Sequence, residues 1–238
     1  MIEGVWMIMK KILLLILALF FSTYANANVD MQLQKENEIQ KRINNIGMKI
    51  LNSNRLEKRV IFIYDENGKK SLLKEDKALT KRQVVVFGDA YKNIESDDEL
   101  AAYIAREIPA AIRSYKGGTG LLSSVQLKAA PKKYELVFDK LAVDYMVKAG
   151  YNPLGLITYI NKTYPQARQD KISSNNLTSK RLAYIYEKIY TQYPSFLVNN
   201  TYLNNEYYQN FLLTSQENRK KVAEKAKNPQ TTRGIKYE

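Results

Sequence analysis

Acidic side chains carry most of the chemistry that this sequence can offer. The chain has 238 residues and contains neither histidine nor cysteine, so the commonest general base, the commonest zinc ligand, thiol nucleophiles and disulfides are all excluded. Glu107 is the most conspicuous carboxylate, because it falls inside an apolar stripe with helical spacing. The stripe comprises Leu100, Tyr103, Ile104, Ile108, Ala111, Ile112 and Tyr115. Pro109 lies in the same predicted helix, where a proline removes a backbone N–H and costs about 3 kcal/mol.

The predicted helix that contains Glu107 has a clear beginning. Ser96 is a favourable N-cap, and Glu99 completes the S-x-x-E pattern of a capping box. The glycine-rich sequence at 116–120 predicts a loop after the helix. Elsewhere, apolar periodicity predicts helices at 31–56, about 133–149 and 178–193, and β-branched runs predict strands at 59–66 and 82–89.

The strand and helix around Glu107 resemble a known active-site motif. The sequence VVVFGDAYKNIESDDELAAYIAREI is similar to the strand and helix of the HtpX/BepA-type zinc metallopeptidases. In that family the helix reads S-x-D-E-L-A-A-V-L-A-H-E-x-G-H, and H-E-x-x-H places two histidines one turn apart on zinc, with the glutamate as general base. Here Arg106 and Ala110 stand in place of the two histidines, Glu107 is retained and Pro109 replaces the glycine.

A second block resembles the helix that supplies the third zinc ligand in the family. YELVFDKLAVDYMVKAGYNP, residues 134–153, is similar to E-x-x-A-D followed by A-G-Y-D-P. Glu135 matches the zinc-binding glutamate and Asp139 matches the aspartate one turn later. Gly150 is a natural stop for this helix, and Asn152 is a natural cap for the short helix that follows.

A third block, SNNLTSKRL at 174–182, is similar to the family's T-H-P-L-x-x-x-R-L. Asn175 stands for the histidine of this block, and Arg181 matches its arginine. Asn175 is expected either over the former active site or in an ordinary loop. The three blocks occur in the family's order over roughly residues 79–191. The resemblance implies an α+β, mainly α-helical, zincin-like fold with a small β-sheet beside the active-site helix.

The same resemblance implies that zinc chemistry has been lost. Zinc needs three protein ligands, and only Glu135 remains, so we expect no zinc or other cofactor, no peptidase activity and a vestigial Glu107. Without zinc, the two glutamates would lack a cation, so we predict that Arg106 pairs with Glu135; the alternative is that Arg106 points to solvent. Asp139 and Arg181 are predicted to form a salt bridge between helices.

The second predicted strand suggests a function that survives the loss of zinc. Val84, Val85, Val86 and Phe87 match the edge strand along which the family's substrates lie, although an ordinary core strand is the alternative. A strand edge can bind peptides by backbone pairing without catalysis. We therefore predict a pseudo-peptidase that binds a peptide, an unfolded envelope protein or a partner subunit in the former cleft. By analogy with the family, this role belongs to envelope assembly or quality control.

Two other functions remain open. The first is a metal-dependent endopeptidase whose unusual ligand set uses Glu107, Glu135 and Asp139. The second is a basic adaptor for anionic envelope polymers, because the formal net charge is +13, with 37 Lys and Arg against 24 Asp and Glu. Solubility alone also explains that charge, and no nucleic-acid motif accompanies it, so no nucleic-acid partner is expected. The adaptor would use residues 216–238, which are predicted to be a basic, flexible tail.

The N-terminus predicts export. MKKILLLILALFF begins at Met9, and its two lysines precede an apolar run that is too short to span a bilayer. An A-x-A pattern ends at Ala27, so residues 1–27 are predicted to be a secretory signal peptide, with an uncleaved membrane anchor as the alternative. The predicted metallopeptidase-like domain then covers 28–215, without a transmembrane segment, and we expect a periplasmic or secreted protein.

Overall fold

The computed structural model describes residues 31–56, 60–68, 82–113, 131–163, 177–228 and 236–237. The chain divides into two units, Met1–Arg42 and Ile43–Glu238. In the first unit the described residues, 31–42, are helical. The second unit begins with helical residues 43–53, labelled α1. The helix predicted for 31–56 is therefore confirmed over 31–53, while the predicted signal peptide and the predicted loop at 116–120 lie outside the described residues.

The second unit is mainly helical with a small sheet, which confirms the coarse fold prediction. No helix in the described part of the chain is long and apolar enough to cross a membrane. After α1, the described elements are β1 (Ile61–Asp65), β2 (Gln83–Phe87), α2 (Gly88–Tyr91), α3 (Asp97–Arg113), α4 (Pro131–Lys148), α5 (Leu154–Thr163), α6 (Leu177–Gln192), α7 (Ser195–Val198), α8 (Glu206–Thr214) and α9 (Gln216–Lys227).

The two strands form a parallel pair with Ile61 opposite Gln83 and Asp65 opposite Phe87. The Ile61 N–H donates to the carbonyl of Arg82 at 2.9 Å, which fixes the register at the start of the pair. A parallel pair needs a crossover connection rather than a tight turn, and 17 residues separate the two strands here, from 66 to 82. The sheet lies against α3, the helix that contains Glu107.

Helix α3 is buried on nearly all sides. It packs against α4, α5 and β2, and every residue from Leu100 to Arg106 is buried. Glu107, which falls within the apolar stripe of the sequence, retains 28% of its side-chain exposure and so lies at the edge of the buried face. The physical reason is that the neighbouring elements cover α3 from several directions and leave Glu107 where this cover is incomplete. The helix continues through Pro109 to Arg113.

The predicted caps at Ser96, Gly150 and Asn152 form at the ends of the helices around the site, whereas the predicted capping box is only half formed, because Glu99 reaches Glu95 and not Ser96. The Ser96 hydroxyl accepts the Glu99 N–H at 3.2 Å, whereas the Glu99 carboxylate accepts the N–H of Glu95 at 2.8 Å. Gly150, with φ of +76°, follows α4 in the left-handed conformation that favours glycine. The Asn152 side chain then accepts the Leu154 N–H at 3.0 Å and so caps α5.

The C-terminal region corrects the prediction of a flexible tail. Residues Gln216–Lys227 form helix α9, which packs against α6 and buries Val222 completely. Tyr237 is also buried and packs with Val222 and Ala183. The polar composition of α9 gives little local indication of order, because most of the stability of a short helix comes from tertiary packing. Residues 229–235 and 238 lie outside the described part.

Candidate functional site

A cluster of charged side chains joins the three central helices. Arg106 comes from α3, Glu135 and Asp139 come from α4, and Arg181 comes from α6. Because α4 packs against both α3 and α6, its inward face lies between the two arginines. Glu135 and Asp139 are four residues apart, and this spacing places both carboxylates on the same face of α4.

Asp139 is the centre of this cluster and is fully buried. Its Oδ1 atom accepts the Arg106 Nε–H at 2.7 Å. Arg181 donates to both oxygens of Asp139, from Nε to Oδ2 at 2.7 Å and from Nη2 to Oδ1 at 3.0 Å. The predicted salt bridge between Asp139 and Arg181 is therefore confirmed, and it fixes α4 against α6. The contact between Asp139 and Arg106 was not predicted.

Glu135 and Glu107 complete the coordination of Arg106. The Nη2 group of Arg106 donates to Glu135 Oε2, so the predicted pair is confirmed and the solvent-facing alternative for Arg106 is wrong. Glu107 Oε1 lies 3.8 Å from Arg106 Nη1, which is an ion-pair distance longer than a hydrogen bond. Glu135 retains 36% exposure and Glu107 28%, whereas Arg106 retains only 7%. The carboxylates therefore lie between the buried guanidinium and solvent.

The electrostatics of the cluster keep Arg106 charged. Burial by itself lowers the pKa of Arg106, but the nearby carboxylates of Asp139, Glu135 and Glu107 outweigh this effect and hold its pKa well above the usual range. A guanidinium offers N–H donors and no acceptor, so these groups are arranged to bind carboxylates. Removal of one partner from such a buried pair is costly, because it leaves an uncompensated charge away from water.

The side chains at the matched ligand positions do not fit a zinc ion. Ala110 is buried and has no donor atom, and Arg106 is a cation that already binds Glu135 and Asp139. Across the described segments, no three Asp or Glu residues are arranged so that they could hold a metal ion. A zinc site needs three protein ligands in tetrahedral geometry. Here the guanidinium of Arg106 lies between Glu135 and Asp139, so these carboxylates bind the arginine and not a metal.

The outer edge of β2 is the second candidate feature. In the observed parallel register, alternate residues of β2 bond β1, so the backbone groups of Val85 and Phe87 face the opposite edge. Val84 and Val86 bond β1 and have buried side chains, which agrees with the alternative of a core strand for these two positions. The hydroxyl of Tyr103, from α3, donates to the Val85 carbonyl at 2.8 Å.

Sequence reasoning missed two contacts near the site, and one of its predicted site residues lies outside the described part of the chain. Tyr103 was assigned only to the apolar stripe, and its hydroxyl contact depends on how α3 packs under β2. Lys162, whose side chain retains 5% exposure, pairs with buried Glu99 at 3.1 Å, a contact across 63 residues for which the sequence has no local signal. Asn175 lies outside the described residues. The contact between Arg106 and Asp139 had a signal, since the i, i+4 spacing of the two carboxylates already places both within reach of one cation.

Comparisons with known proteins do not assign the chain to a family. No protein-family model matches the sequence, no curated protein matches it, and no solved structure matches its fold.

Proposed function

We propose that this chain is an exported, catalytically inactive relative of the HtpX/BepA-type zinc metallopeptidases that binds peptide segments instead of cleaving them. Its ligand is a peptide, an unfolded envelope protein or a partner subunit that lies in the former active-site cleft. The observation that carries the proposal is the contact of Arg106 with both Glu135 and Asp139. The family resemblance puts a zinc-binding histidine at this position, and here a guanidinium supplies the positive charge instead.

The acid–base chemistry of the family is absent from this arrangement. Glu107 is retained, but a carboxylate acts as the general base of such an enzyme only when a metal lowers the pKa of a bound water. Its carboxylate instead faces the guanidinium of Arg106 at 3.8 Å. The three carboxylates and two arginines are therefore better suited to hold three helices together beside a binding surface than to hydrolyse a bond.

The outer edge of β2 supports the binding part of the proposal. A ligand strand that pairs with this edge would use the backbone groups of Val85 and Phe87. Tyr103 already donates to the Val85 carbonyl, so a ligand must either share that oxygen or displace the hydroxyl. The Val85 N–H, which points to the same edge, is the donor that a ligand strand would use next to this position.

Fluorescein-labelled β-casein, an unfolded protein, provides a test of binding and cleavage together. The full-length protein is expected to raise the anisotropy of the labelled casein and to leave it intact on a denaturing gel after overnight incubation with zinc. Val85→Pro is expected to weaken binding by about tenfold, because it removes the outward N–H without removing a bond to β1. Val85→Ala, which retains the N–H, is the matched control and should bind nearly as well as the wild type.

Two results would contradict the proposal. Cleavage of the casein that stops on addition of a metal chelator would establish a metal-dependent endopeptidase. Absence of any anisotropy change at protein concentrations up to about 100 μM, a range that covers weak binding, would remove the peptide-binding role.

A further inference from the structure

The two arginines of the cluster converge on two acceptors that differ in accessibility. Asp139 is fully buried and accepts from both guanidiniums. Glu135 keeps 36% of its side chain exposed, and its Oε2 atom accepts from Arg106 and lies 3.6 Å from Arg181 Nη2. One of the two acceptors is thus fixed within the protein, while the other can be reached from solvent.

Asp139 keeps both guanidiniums in place independently of Glu135. Arg181 binds Asp139 in a bidentate manner, and Arg106 binds it through Nε. Arg106 Nη2 donates to Glu135 Oε2. Arg181 Nη2, which donates to Asp139 Oδ1, lies 3.6 Å from the same Glu135 oxygen, an ion-pair distance. Paired guanidinium groups of this kind have the geometry that recognises a carboxylate.

We propose that Arg106 and Arg181 form a carboxylate-binding site, that Glu135 fills this site in the present structure, and that the terminal carboxylate of a peptide displaces it. Exchange of one carboxylate for another leaves the charge next to the arginines unchanged, so the exchange creates no uncompensated buried charge. Glu135 is the fifth residue of α4 and is partly exposed, so its side chain can turn toward water without movement of Asp139. The assignment of the incoming carboxylate to a peptide rests on the proposed function, whereas the carboxylate-binding site itself does not.

The site can be tested with acetate as the probe. Thermal unfolding of the full-length Glu135→Ala variant is measured in sodium acetate and in sodium chloride at the same ionic strength. Acetate that binds between the two arginines is expected to raise the Tm of this variant by about 2–4 °C over chloride. The wild type, in which Glu135 fills the site, should show little difference between the two salts.

Glu107→Ala is the matched control, because Glu107 also faces Arg106 and is similarly exposed. It should show no acetate-specific rise. An equal response of the two variants, or none in Glu135→Ala, would overturn the proposed site. If Glu135→Ala does not fold, Glu135→Ser, whose short side chain also removes the carboxylate and leaves the space between the arginines open, is measured by the same criteria.

Three labelled peptides of one apolar sequence distinguish the source of the carboxylate: one with a free C-terminus, one with a C-terminal amide, and one amidated with an internal aspartate. The wild type is expected to bind the free acid about tenfold more tightly than either amide, which corresponds to the loss of charge-assisted hydrogen bonds. Equal affinity for the aspartate peptide and the free acid would overturn the assignment to a chain terminus. Failure of all three to bind, with the acetate response present, would contradict the peptide ligand and the proposed function but leave the carboxylate site in place.

Discussion

Arg181 binds Asp139 through two hydrogen bonds, of 2.7 and 3.0 Å, at a place where the aspartate has no exposed surface. This bidentate pair connects α6 to α4, and the bond from Arg106 extends the connection to α3. The same residues that define the candidate site therefore also hold the three helices in their relative positions. Changes at this site should affect stability as well as binding, and the two effects can be measured separately.

Asp139→Asn should destabilise the protein strongly. The variant keeps the shape of the side chain but leaves the two buried guanidiniums of Arg106 and Arg181 without their shared anion. We expect the free energy of unfolding, measured by urea denaturation with circular dichroism, to fall by about 3–5 kcal/mol. Glu217→Gln is the control, because it removes an exposed pair with Lys220 and should cost at most about 1 kcal/mol. Similar losses in the free energy of unfolding for Asp139→Asn and Glu217→Gln would contradict the stabilising role of the buried Asp139.

Zinc binding should appear when histidines are introduced at residues 106 and 110. Arg106→His with Ala110→His places two imidazoles one turn apart on α3, and residue 106 already contacts Glu135 and Asp139. After incubation with zinc and dialysis, plasma emission is expected to find about one zinc per chain in the double variant and almost none in the wild type. Arg106→His alone should bind far less, because it supplies one imidazole. Equal zinc contents in the single and double variants would mean that residues 106 and 110 do not share a metal.

Tyr193 should make stability fall with rising pH in the alkaline range. Burial, together with the hydrogen bond of its hydroxyl to Asp144 at 2.7 Å, raises the pKa of Tyr193 to about 12. The unfolded pKa is about 10, so the folded state holds the proton more tightly. The stabilisation of the folded state that comes from the raised pKa of Tyr193 is complete below about pH 10 and is lost as the pH rises toward 12.

Tyr193→Phe isolates this contribution, because the other tyrosines are common to both proteins. The difference in free energy of unfolding between wild type and variant should be larger at pH 9 than at pH 11. Asp144→Asn, which removes the carboxylate but retains the phenol, should also reduce the alkaline loss relative to the wild type. A difference that stays constant between the two pH values would contradict the raised pKa.

Tyr237 should stabilise the C-terminal part of the molecule. Its ring is buried with Ala183 and Val222 and lies edge-on to Tyr184 at a centroid distance of 4.9 Å. Tyr237→Ala is expected to lower the free energy of unfolding by about 3 kcal/mol. Tyr237→Phe keeps the ring and removes only the hydroxyl, which hydrogen-bonds Glu187 and accepts from Lys225 Nζ at 3.5 Å. It should therefore lower the free energy of unfolding by only about 1 kcal/mol. Unchanged stability in Tyr237→Ala would restore the prediction of a tail that does not pack on the domain.

The sequence by itself determined the features that depend on neighbours within one or two helical turns. The capping hydrogen bond between Ser96 and Glu99, the cap at Asn152 and the left-handed Gly150 follow from local residue types. The contact of Arg106 with Glu135 lies between two helices and was predicted only through the family resemblance, which placed both residues at one site where the carboxylates would need a cation.

Only the tertiary structure decided which faces are covered and which charges meet. Glu107 is partly exposed because α4, α5 and β2 cover the rest of α3, and Asp139 serves two arginines because α4 lies between α3 and α6. Helix α9 is ordered because Val222 packs against α6, although its own sequence is mostly polar. These outcomes depend on contacts between residues far apart in the chain, and burial free energy, unlike a helix cap, has no signature within a short stretch of sequence.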